Sequence, residues 1–334
     1  MSGKNISQYQ LTNKMSELAK KSLTFWKLSK DSTVQLINVS ENFTFLVETP
    51  NHFKSILRIH RENYHTRHSI SCEHAWARAL NENGGVTTPG MIQGKDGNYI
   101  QSAKIDGLTS ERFLVMFEFV EGKEPEHNGD LVVPFEELGE IAALTHLHSI
   151  SWDRPKNFER LVWDLDTVFG SNATWGDWRE APNITEDILS TLEKAQIQVI
   201  KRLKLYSKDS NRFGLIHADM RLANLLISNN TTRLIDFDDC GMGWFMYDFA
   251  AGISFMEDNV QVPALKDAWV RGYRKKRQLT QEDEFEIDTF IVMRRLALLA
   301  WIGSHREVDT AKELAPDFAK VTKSLAQAYL EKFV

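Results

Sequence analysis

The hydrophobic and polar positions divide the chain into a β-rich first part and a mostly helical second part. Apolar residues at helical spacing predict a helix over residues 8–29 and a second, amphipathic helix over residues 69–83, which Gly84-Gly85 ends. Short runs rich in β-branched and aromatic residues predict strands at residues 34–37, 43–47, 55–59, 99–103 and 113–120. We therefore expect a sheet of about five strands that carries one internal helix.

Helical spacing dominates after residue 120. The predicted helices lie at residues 135–150, 184–206, 264–276, 282–304 and 311–333. The one β-rich exception in this part is residues 213–239. We therefore expect an α+β fold with a β-rich N-lobe (residues 1–120) and a mostly helical C-lobe (residues 121–334).

A polar cluster interrupts the β-rich exception. Residues 217–224 read HADMRLAN, and they lie between the apolar run Phe213–Ile216 and a predicted hairpin formed by two short strands and a tight turn. Asp219 and Asn224 would precede this hairpin, and alternation along its second strand would place Asp236 and Asp238 on one face. Carboxylates this close together are costly unless a hard cation such as Mg²⁺ compensates them.

Composition excludes several classes of function. With 334 residues, 42% of them hydrophobic and 26% charged, the chain is typical of a globular protein with a sizeable core. The net charge of −6 argues against a nucleic-acid partner held through phosphate contacts. The two cysteines match no disulfide framework and no zinc site. We expect no membrane partner, and the lack of a signal peptide's apolar core predicts a cytoplasmic location.

The order H-x-D, then N, then I-D-F-D-D resembles the catalytic core of the aminoglycoside phosphotransferase and choline kinase superfamily, which has a two-lobed, protein-kinase-like fold. The resemblance covers roughly residues 30–300, and it is closest to the branch of homoserine kinase type II and the bacterial stress-response kinases. It implies transfer of the γ-phosphate of ATP to an alcohol group with Mg²⁺ as cofactor. Ala218 replaces the Gly of the family's His-Gly-Asp pattern, although it is also small.

The resemblance implies roles for the polar residues of this region. Asp219 would accept the proton of the acceptor hydroxyl or orient that hydroxyl for in-line attack. Arg221 lies where protein kinases keep a phosphate-touching lysine, so it either stabilises the transition state or makes a loop or substrate contact. Asn224 and Asp236 would hold Mg²⁺, whereas Asp238 would be a second metal ligand or a supporting acceptor.

The resemblance also implies a nucleotide site on the N-lobe. Its cofactor-binding residues would be Arg58, Glu73, Ser40, Asn42, Glu118 and Val120. Arg58 lies on a predicted strand where the fold keeps a cation against the nucleotide phosphates, and the Glu73 carboxylate would pair with that cation. Residues 39–43 take the place of the phosphate-covering loop but lack its glycine-rich pattern. Main-chain groups of Glu118 and Val120 would meet the adenine.

Other residues carry less specific signals. His217 and Asp248 are expected to order the catalytic loop (residues 214–239). The aromatic and acidic stretch at residues 163–178 falls in an expected substrate insertion (about residues 151–183), where it either packs on its own lobe or binds a cationic amine. Two further residues, Arg294 and Arg295, either line a helix surface or face the site.

The acceptor is left open by the sequence. The first hypothesis is a small amino alcohol, amino acid or aminoglycoside-like molecule, which the acidic net charge slightly favours. The second is a Ser or Thr side chain of a protein. From a different class, the chain would be a nucleotide-binding regulator without catalysis, which only the irregular phosphate loop and Ala218 support.

Overall fold

The computed structural model describes residues 7–39, 42–105, 110–125, 129–228 and 231–334. The chain divides into two compact units. The first unit is formed by the chain up to Arg78 together with Thr88–Glu121, and the second by Ala79–Thr87 and Gly122–Val334. The segment Ala79–Thr87 joins the second unit, where Gly84 packs against the ring of His148.

The first unit is built on an antiparallel five-stranded sheet. Its strands follow the order β1-β2-β3-β5-β4, and its elements are α1 (Gln8–Ser22), β1 (Thr33–Val39), β2 (Phe43–Glu48), β3 (Lys54–Ile59), α2 (Arg67–Ala79), β4 (Ile100–Ala103) and β5 (Arg112–Glu118). One face of the sheet packs against α1 and buries Leu18, Trp26, Phe45 and Leu57. This agrees with the predicted β-rich first part.

Helix α1 is shorter than predicted. The helix ends at Ser22, and a single 3₁₀ turn, Leu23–Phe25, follows it. Trp26 then turns to an extended conformation, and its indole Nε1 donates a hydrogen bond of 3.0 Å to the carbonyl of Ile92. This tertiary contact of Trp26 outweighs the helical spacing of the residues that follow.

The second unit is mostly helical. Its helices are α3 (Val132–Ser151), α4 (Leu165–Phe169), α5 (Glu186–Tyr206), α6 (Tyr247–Gly252), α7 (Val262–Arg274), α8 (Gln281–Ser304), α9 (Asp309–Leu314) and α10 (Phe318–Phe333). The single helix predicted at residues 311–333 is wrong, because Pro316 lies between α9 and α10 and has no N–H for the helical ladder. No helix in the described ranges is both long enough and apolar enough to cross a membrane.

Helices α3 and α7 approach each other closely at two glycines. A Cβ atom added to Gly139 would lie 2.1 Å from the carbonyl oxygen of Trp269, and one added to Gly272 would lie 1.8 Å from that of Glu136. Neither distance is possible for a real side chain, so glycine is required at both positions for this packing.

Two small sheets frame the predicted catalytic loop. A three-stranded sheet contains β6 (Leu161–Trp163), β10 (Gly241–Trp244) and β7 (Phe213–Ile216), with β10 parallel to β6 and antiparallel to β7. A separate antiparallel hairpin contains β8 (Leu225–Ser228) and β9 (Thr231–Leu234). The prediction that residues 213–239 are the only β-rich segment is therefore wrong, because β6 and β10 lie outside it.

Candidate active site

The loop after β7 is held in an unusual backbone conformation. Ala218 has a φ of 64° and Asp236, after β9, has a φ of 61°. Residues other than glycine rarely adopt this left-handed region, and doing so costs free energy that the surroundings must offset. Both residues belong to the predicted loop of residues 214–239, so the backbone of this loop is strained at two points.

Asp248 in the first turn of α6 holds this loop through its backbone. The main-chain N–H of Ala218 donates to Asp248 Oδ1 at 2.7 Å, and that of His217 donates to Oδ2 at 3.1 Å. The imidazole of His146 contacts Oδ2 at 3.0 Å from the other side. Asp248 and His146 are wholly buried. These contacts agree with the supporting role expected for Asp248.

His217 links the two halves of the loop. Its Nδ1 accepts a hydrogen bond of 3.3 Å from the N–H of Asp219, so its Nε2, 3.1 Å from the carbonyl of Ile235, is the donor on the other side. The ring is fully buried. Both nitrogens are thus used to join the segment before the hairpin to the segment after it, which agrees with the ordering role expected for His217.

Asp219 lies at the centre of a cluster of donors. Arg221 contacts it twice, with Nε 2.9 Å from Oδ1 and Nη2 3.2 Å from Oδ2. Nη2 of Arg294 lies 3.3 Å from Oδ1, and Nδ2 of Asn224 lies 2.9 Å from Oδ2. Two of the predicted site residues, Arg221 and Asn224, are therefore brought to Asp219 by the loop itself.

The electrostatics of the cluster favour the carboxylate form of Asp219. Burial alone would raise the pKa of the Asp219 carboxyl, but the guanidinium groups of Arg221 and Arg294 outweigh it and hold this pKa below its ordinary value. A carboxylate with a low pKa is a weak base and a good hydrogen-bond acceptor. Such a group is well suited to orient a hydroxyl.

Asn224 and Asp236 are the residues best placed to hold a metal ion. The N–H of Ile235 donates to the carbonyl of Asn224 at 2.9 Å, which brings Asp236 next to it in the loop. Because Nδ2 of Asn224 donates to Asp219, the atom with which this amide can bind a cation is Oδ1. In the part of the chain that the structure describes, no cluster of three or more His, Cys, Asp or Glu side chains is arranged for a metal. The donor set fits Mg²⁺, which one or two protein oxygens hold together with substrate phosphates.

The predicted alternation of residues 235–238 is wrong. Strand β9 ends at Leu234, and the positive φ of Asp236 is incompatible with an extended strand. Phe237 and Asp238 are both buried, at 4% exposure each, whereas Asp236 is partly exposed. The N–H of Asp238 donates to Asp236 Oδ1 at 3.4 Å. Asp236 and Asp238 are thus turn neighbours and do not share a strand face.

The segment at residues 151–183 packs against the loop. Arg160 donates from Nε to the carbonyl of Cys240 at 2.9 Å, and Trp163 Nε1 donates to that of Asp239 at 2.8 Å. Trp178 is buried, and its indole donates to Gln196 at 2.7 Å. These aromatic side chains therefore pack within the second unit.

Two acidic residues of this segment are also engaged. Asp164 caps α4 and pairs with Lys208 at 2.7 Å, while Asp177 accepts from the main-chain N–H of Arg179 at 3.0 Å. Burial alone would raise the pKa of the Asp164 carboxyl, but its hydrogen bonds to Lys208 and to main-chain N–H groups lower it below its ordinary value. Packing on the same unit is thus the alternative that these contacts favour.

In the first unit, the predicted ion pair is present. Nη1 of Arg58 on β3 lies 2.8 Å from Oε1 of Glu73 on α2, with both side chains buried. The guanidinium also lies 5.0 Å from the centre of the Phe117 ring. A buried arginine held by a carboxylate and an aromatic ring has a fixed direction, as a phosphate-binding group requires.

The other predicted cofactor residues are distributed around this sheet. Asn42 is buried, and its Oδ1 accepts from the N–H of Arg61 at 3.1 Å, so its side chain fixes the backbone. Ser40 lies outside the described residues. Glu118 ends β5, with its N–H donating to the carbonyl of Gly90 at 2.8 Å, and Val120 follows in irregular backbone.

The sequence does not decide whether Arg294 lines a helix surface or faces the site. In the structure it contacts Asp219. It lies in the middle of α8, inside the apolar run IVMRRLALLAWIG. Arg294 and Arg295 are both buried, so neither lines the helix surface. Charged residues are rarely buried without a partner. An arginine inside an apolar run is therefore a sequence signal of a buried ion pair. The sequence does not reveal that Asp219 is that partner.

Comparison with known proteins identifies the family and the fold. The profile of the phosphotransferase enzyme family (APH) matches residues 33–286. A microcompartment-associated aminopropanol kinase is 38% identical, with a TM-score of 0.88 over 95% of this chain and 98% of that chain. Amicoumacin kinase in complex with AMP-PNP, Ca²⁺ and Ami is 16% identical, with a TM-score of 0.75 over 95% and 96%. Choline kinase from Cryptosporidium parvum is 16% identical, with a TM-score of 0.59 over 96% and 95%.

The chain therefore belongs to the phosphotransferase enzyme family (APH). It shares its fold with choline kinase, in agreement with the resemblance seen in the sequence. It is a kinase with the α+β, kinase-like fold that the sequence predicts. This result favours the enzyme over the regulator without catalysis. The finer placement beside homoserine kinase type II and the stress-response kinases stays a prediction.

Proposed function

We propose that this kinase transfers the γ-phosphate of ATP to the hydroxyl group of a small amino alcohol, with Mg²⁺ as cofactor. The observation that carries the proposal is the Asp219 carboxylate, which Asn224 and two arginines hold in the loop after β7. Phosphoryl transfer depends mainly on positioning and charge stabilisation, with one carboxylate beside the attacking hydroxyl. Asp219 has the surroundings that this role requires.

The residues fit a magnesium nucleotide. Asn224 Oδ1 and the Asp236 carboxylate would hold the metal, and Asp238 would support Asp236 through the turn that they share. Arg58, fixed by Glu73, would hold the α- and β-phosphates. The backbone of residues 117–121 would meet the adenine. When bound, magnesium and ATP supply the phosphoryl group and neutralise the charge that develops on its oxygens.

Asp219 would act on the acceptor hydroxyl, and Arg221 would act on the phosphoryl group. An acceptor O–H would donate to a carboxylate oxygen of Asp219, which orients the hydroxyl. Asp219 would accept the proton of that hydroxyl as the acceptor oxygen bonds to the γ-phosphorus and the bond from that phosphorus to the leaving ADP breaks. Arg221 has a side chain that is 33% exposed, so its guanidinium can turn toward an anionic phosphoryl group. In this way one residue would position the nucleophile and the other would stabilise negative charge.

The choice of an amino alcohol rests on the comparison with relatives. The aminopropanol kinase shares 38% identity over 95% of this chain, and the net charge of −6 suits a cationic acceptor. The aromatic stretch at residues 163–178 lends less support than its sequence predicts, because its tryptophans are buried. The relatives compared are kinases of small molecules, so a Ser or Thr side chain of a protein has no support from them.

A panel assay tests the substrate. Phosphate transfer from Mg-ATP is measured to 1-amino-2-propanol, ethanolamine, choline, homoserine, an aminoglycoside and a basic peptide containing Ser and Thr. We expect the highest kcat/KM with a short amino alcohol. Transfer to the peptide alone, or binding of Mg-ATP without transfer to any acceptor, would contradict the proposal.

Two substitutions test the assigned roles. Asp219→Asn is expected to lower kcat by about 1,000-fold because the carboxylate at the hydroxyl is lost, while Mg-ATP still raises Tm as in the wild type. Asp236→Ala is expected to abolish the magnesium-dependent part of that Tm shift. The exposed Asp267→Asn serves as the control for both. Near-normal transfer by Asp219→Asn would show that Asp219 does not have this role.

A further inference from the structure

A second arginine lies against the Asp219 carboxylate. Arg294 is in the interior of α8, with a side chain that is only 2% exposed. Its guanidinium donates to Ser254 Oγ at 3.0 Å, to the Tyr247 hydroxyl at 3.4 Å and to Asp219 Oδ1 at 3.3 Å. Of these three partners only Asp219 is charged, and a buried guanidinium is tolerated only beside a compensating anion. Arg294 and Asp219 therefore stabilise each other.

The donors around Asp219 use its whole capacity for hydrogen bonds. A carboxylate offers about four lone-pair sites. Arg221 and Arg294 both donate to Oδ1, while Arg221 and Asn224 both donate to Oδ2. An acceptor hydroxyl can therefore bind Asp219 only after one of these donors has left.

The two arginines differ in how firmly they are held. Arg294 is fixed by its hydrogen bonds to Ser254 and Tyr247, and it lies 5.1 Å from the ring centre of Trp175 and 5.7 Å from that of Tyr247. Arg221 reaches Asp219 from two residues away along the same loop and lies 5.7 Å from the ring centre of Phe255, but its side chain is 33% exposed. Departure of Arg221 would open one site on each carboxylate oxygen.

We propose that Arg294 is a positioning residue, which keeps the Asp219 carboxylate in place while Arg221 leaves it for the anionic phosphoryl group. The inference rests on the proposed phosphotransfer. After the exchange, Arg294 still binds Oδ1 and Asn224 still binds Oδ2, so the vacated sites face an acceptor O–H without rotation of the carboxylate. If Arg294 were absent, the carboxylate would follow Arg221 toward the phosphates.

The neighbouring Arg295 provides a matched control. It is equally buried, with a side chain that is 4% exposed, and it follows Arg294 on α8. Its guanidinium pairs with Glu257 and donates to Thr322 Oγ1 at 2.8 Å. Substitution of Arg295 therefore reports the cost of removing a buried arginine from this helix without removing the contact to Asp219.

The experiment compares kcat, KM and Tm for four variants of the full chain. Arg294→Gln is expected to lower kcat by about 100-fold with KM for ATP within about twofold of the wild type, because the carboxylate is misplaced and the nucleotide site is intact. Arg294→Lys is expected to have a kcat about tenfold higher than that of Arg294→Gln, since its ammonium can still donate to Oδ1. Arg295→Gln and Arg295→Lys are expected to lower Tm at least as much, with kcat within about threefold of the wild type.

Two results would overturn the inference. One is that kcat falls by the same factor in the Arg295 variants as in the Arg294 variants, because the fall in kcat would then reflect lost stability alone. The other is that Arg294→Lys and Arg294→Gln both keep kcat within threefold of the wild type. If the wild type itself phosphorylates no amino alcohol, the proposed function fails. The rate of the slow hydrolysis of ATP is then measured in place of kcat, and the variants are expected to fall in the same order.

Discussion

Asp219 and Asp248 are two carboxylates of the second unit that bind the same loop in different ways. Asp219 is 17% exposed and accepts hydrogen bonds from side chains alone. Asp248 has no exposed surface and accepts from two main-chain N–H groups and an imidazole. Asp219 accepts four hydrogen bonds, which use its whole capacity, and Asp248 accepts three. Their partners differ in mobility, because a side chain such as Arg221 can rotate away whereas a backbone N–H cannot.

This difference distinguishes a carboxylate that can exchange its donors, Asp219, from one that cannot, Asp248. The donors of Asp219 can be exchanged for a substrate, so its saturation is temporary in the proposed reaction. The donors of Asp248 are fixed by the strained backbone at Ala218, so they stay in place throughout. We expect substitutions at Asp219 to act on turnover, and substitutions around Asp248 to act first on the free energy of unfolding.

The largest effect on stability is expected for Asp248→Asn. The amide keeps one acceptor oxygen and places an NH₂ group against a main-chain N–H of Ala218 or His217, which leaves a buried donor without an acceptor. This should reduce the free energy of unfolding by about 3 kcal/mol, to be measured by urea denaturation.

The exposed Asp267→Asn is the matched control for this change, and it should stay within about 0.5 kcal/mol of the wild type. If both variants unfolded at the same urea concentration, Asp248 would not hold the loop as its contacts indicate. The distinction from Asp219 would then be lost.

The main elements of the fold could be predicted from the sequence because their periodicity is local. Helix α5 and strand β2 each bury one face, so their spacing reveals them. Helix α8 is buried on nearly all sides, and the length of its apolar run reveals it. Strands β6 and β10 have three and four residues, and β10 reads GMGW, so neither shows an alternating pattern. Their pairing depends on residues far apart in the chain, which local patterns do not contain.

The site shows the same division between local and distant information. The sequence predicts Asp219, Asn224 and Asp236 as site residues because a fixed spacing in one loop carries their chemistry. Arg294 lies 75 residues after Asp219, and only the packing of α8 brings the two together. The alternation expected for Asp236 and Asp238 failed because it assumes an extended strand, and backbone strain at a site is not visible in a residue pattern.

An intermediate effect on stability is expected from pH, through the imidazole of His146 that contacts Asp248. Burial lowers the pKa of the His146 imidazole, and the hydrogen bond to the Asp248 carboxylate only partly offsets this. The ring faces Asp248 at 3.0 Å and the Tyr273 hydroxyl at 3.0 Å, with Arg277 bonded to that hydroxyl. The unfolded chain takes up a proton near pH 6.5 that the folded chain does not, so stability falls as pH drops below about 6.5.

His146→Gln should remove this titration. Between pH 6.5 and 5.5 the wild type is expected to lose about 1 kcal/mol more than the variant, as measured by urea denaturation at each pH. His52→Gln, at an exposed position, should keep the slope of the wild type. Equal slopes for the wild type and His146→Gln would mean that His146 does not stay neutral in the folded protein.

The smallest effect is expected for Ala218→Gly, at a residue whose N–H donates to Asp248 and whose φ is 64°. Changing Ala218 to Gly relieves about 1–2 kcal/mol of left-handed strain, while the buried methyl group costs about 0.8 kcal/mol and the freer unfolded chain costs about 0.4–1 kcal/mol. These contributions nearly cancel, so Tm should stay within a few degrees of the wild type. Ala218→Val puts a β-branched side chain in the same conformation and should lower Tm far more, because Asp248 holds the backbone there and the loop cannot relax. A large loss of stability in Ala218→Gly would mean that the backbone at Ala218 is not strained. A tolerated Ala218→Val would show that the backbone at Asp248 is as adaptable as the side chains at Asp219.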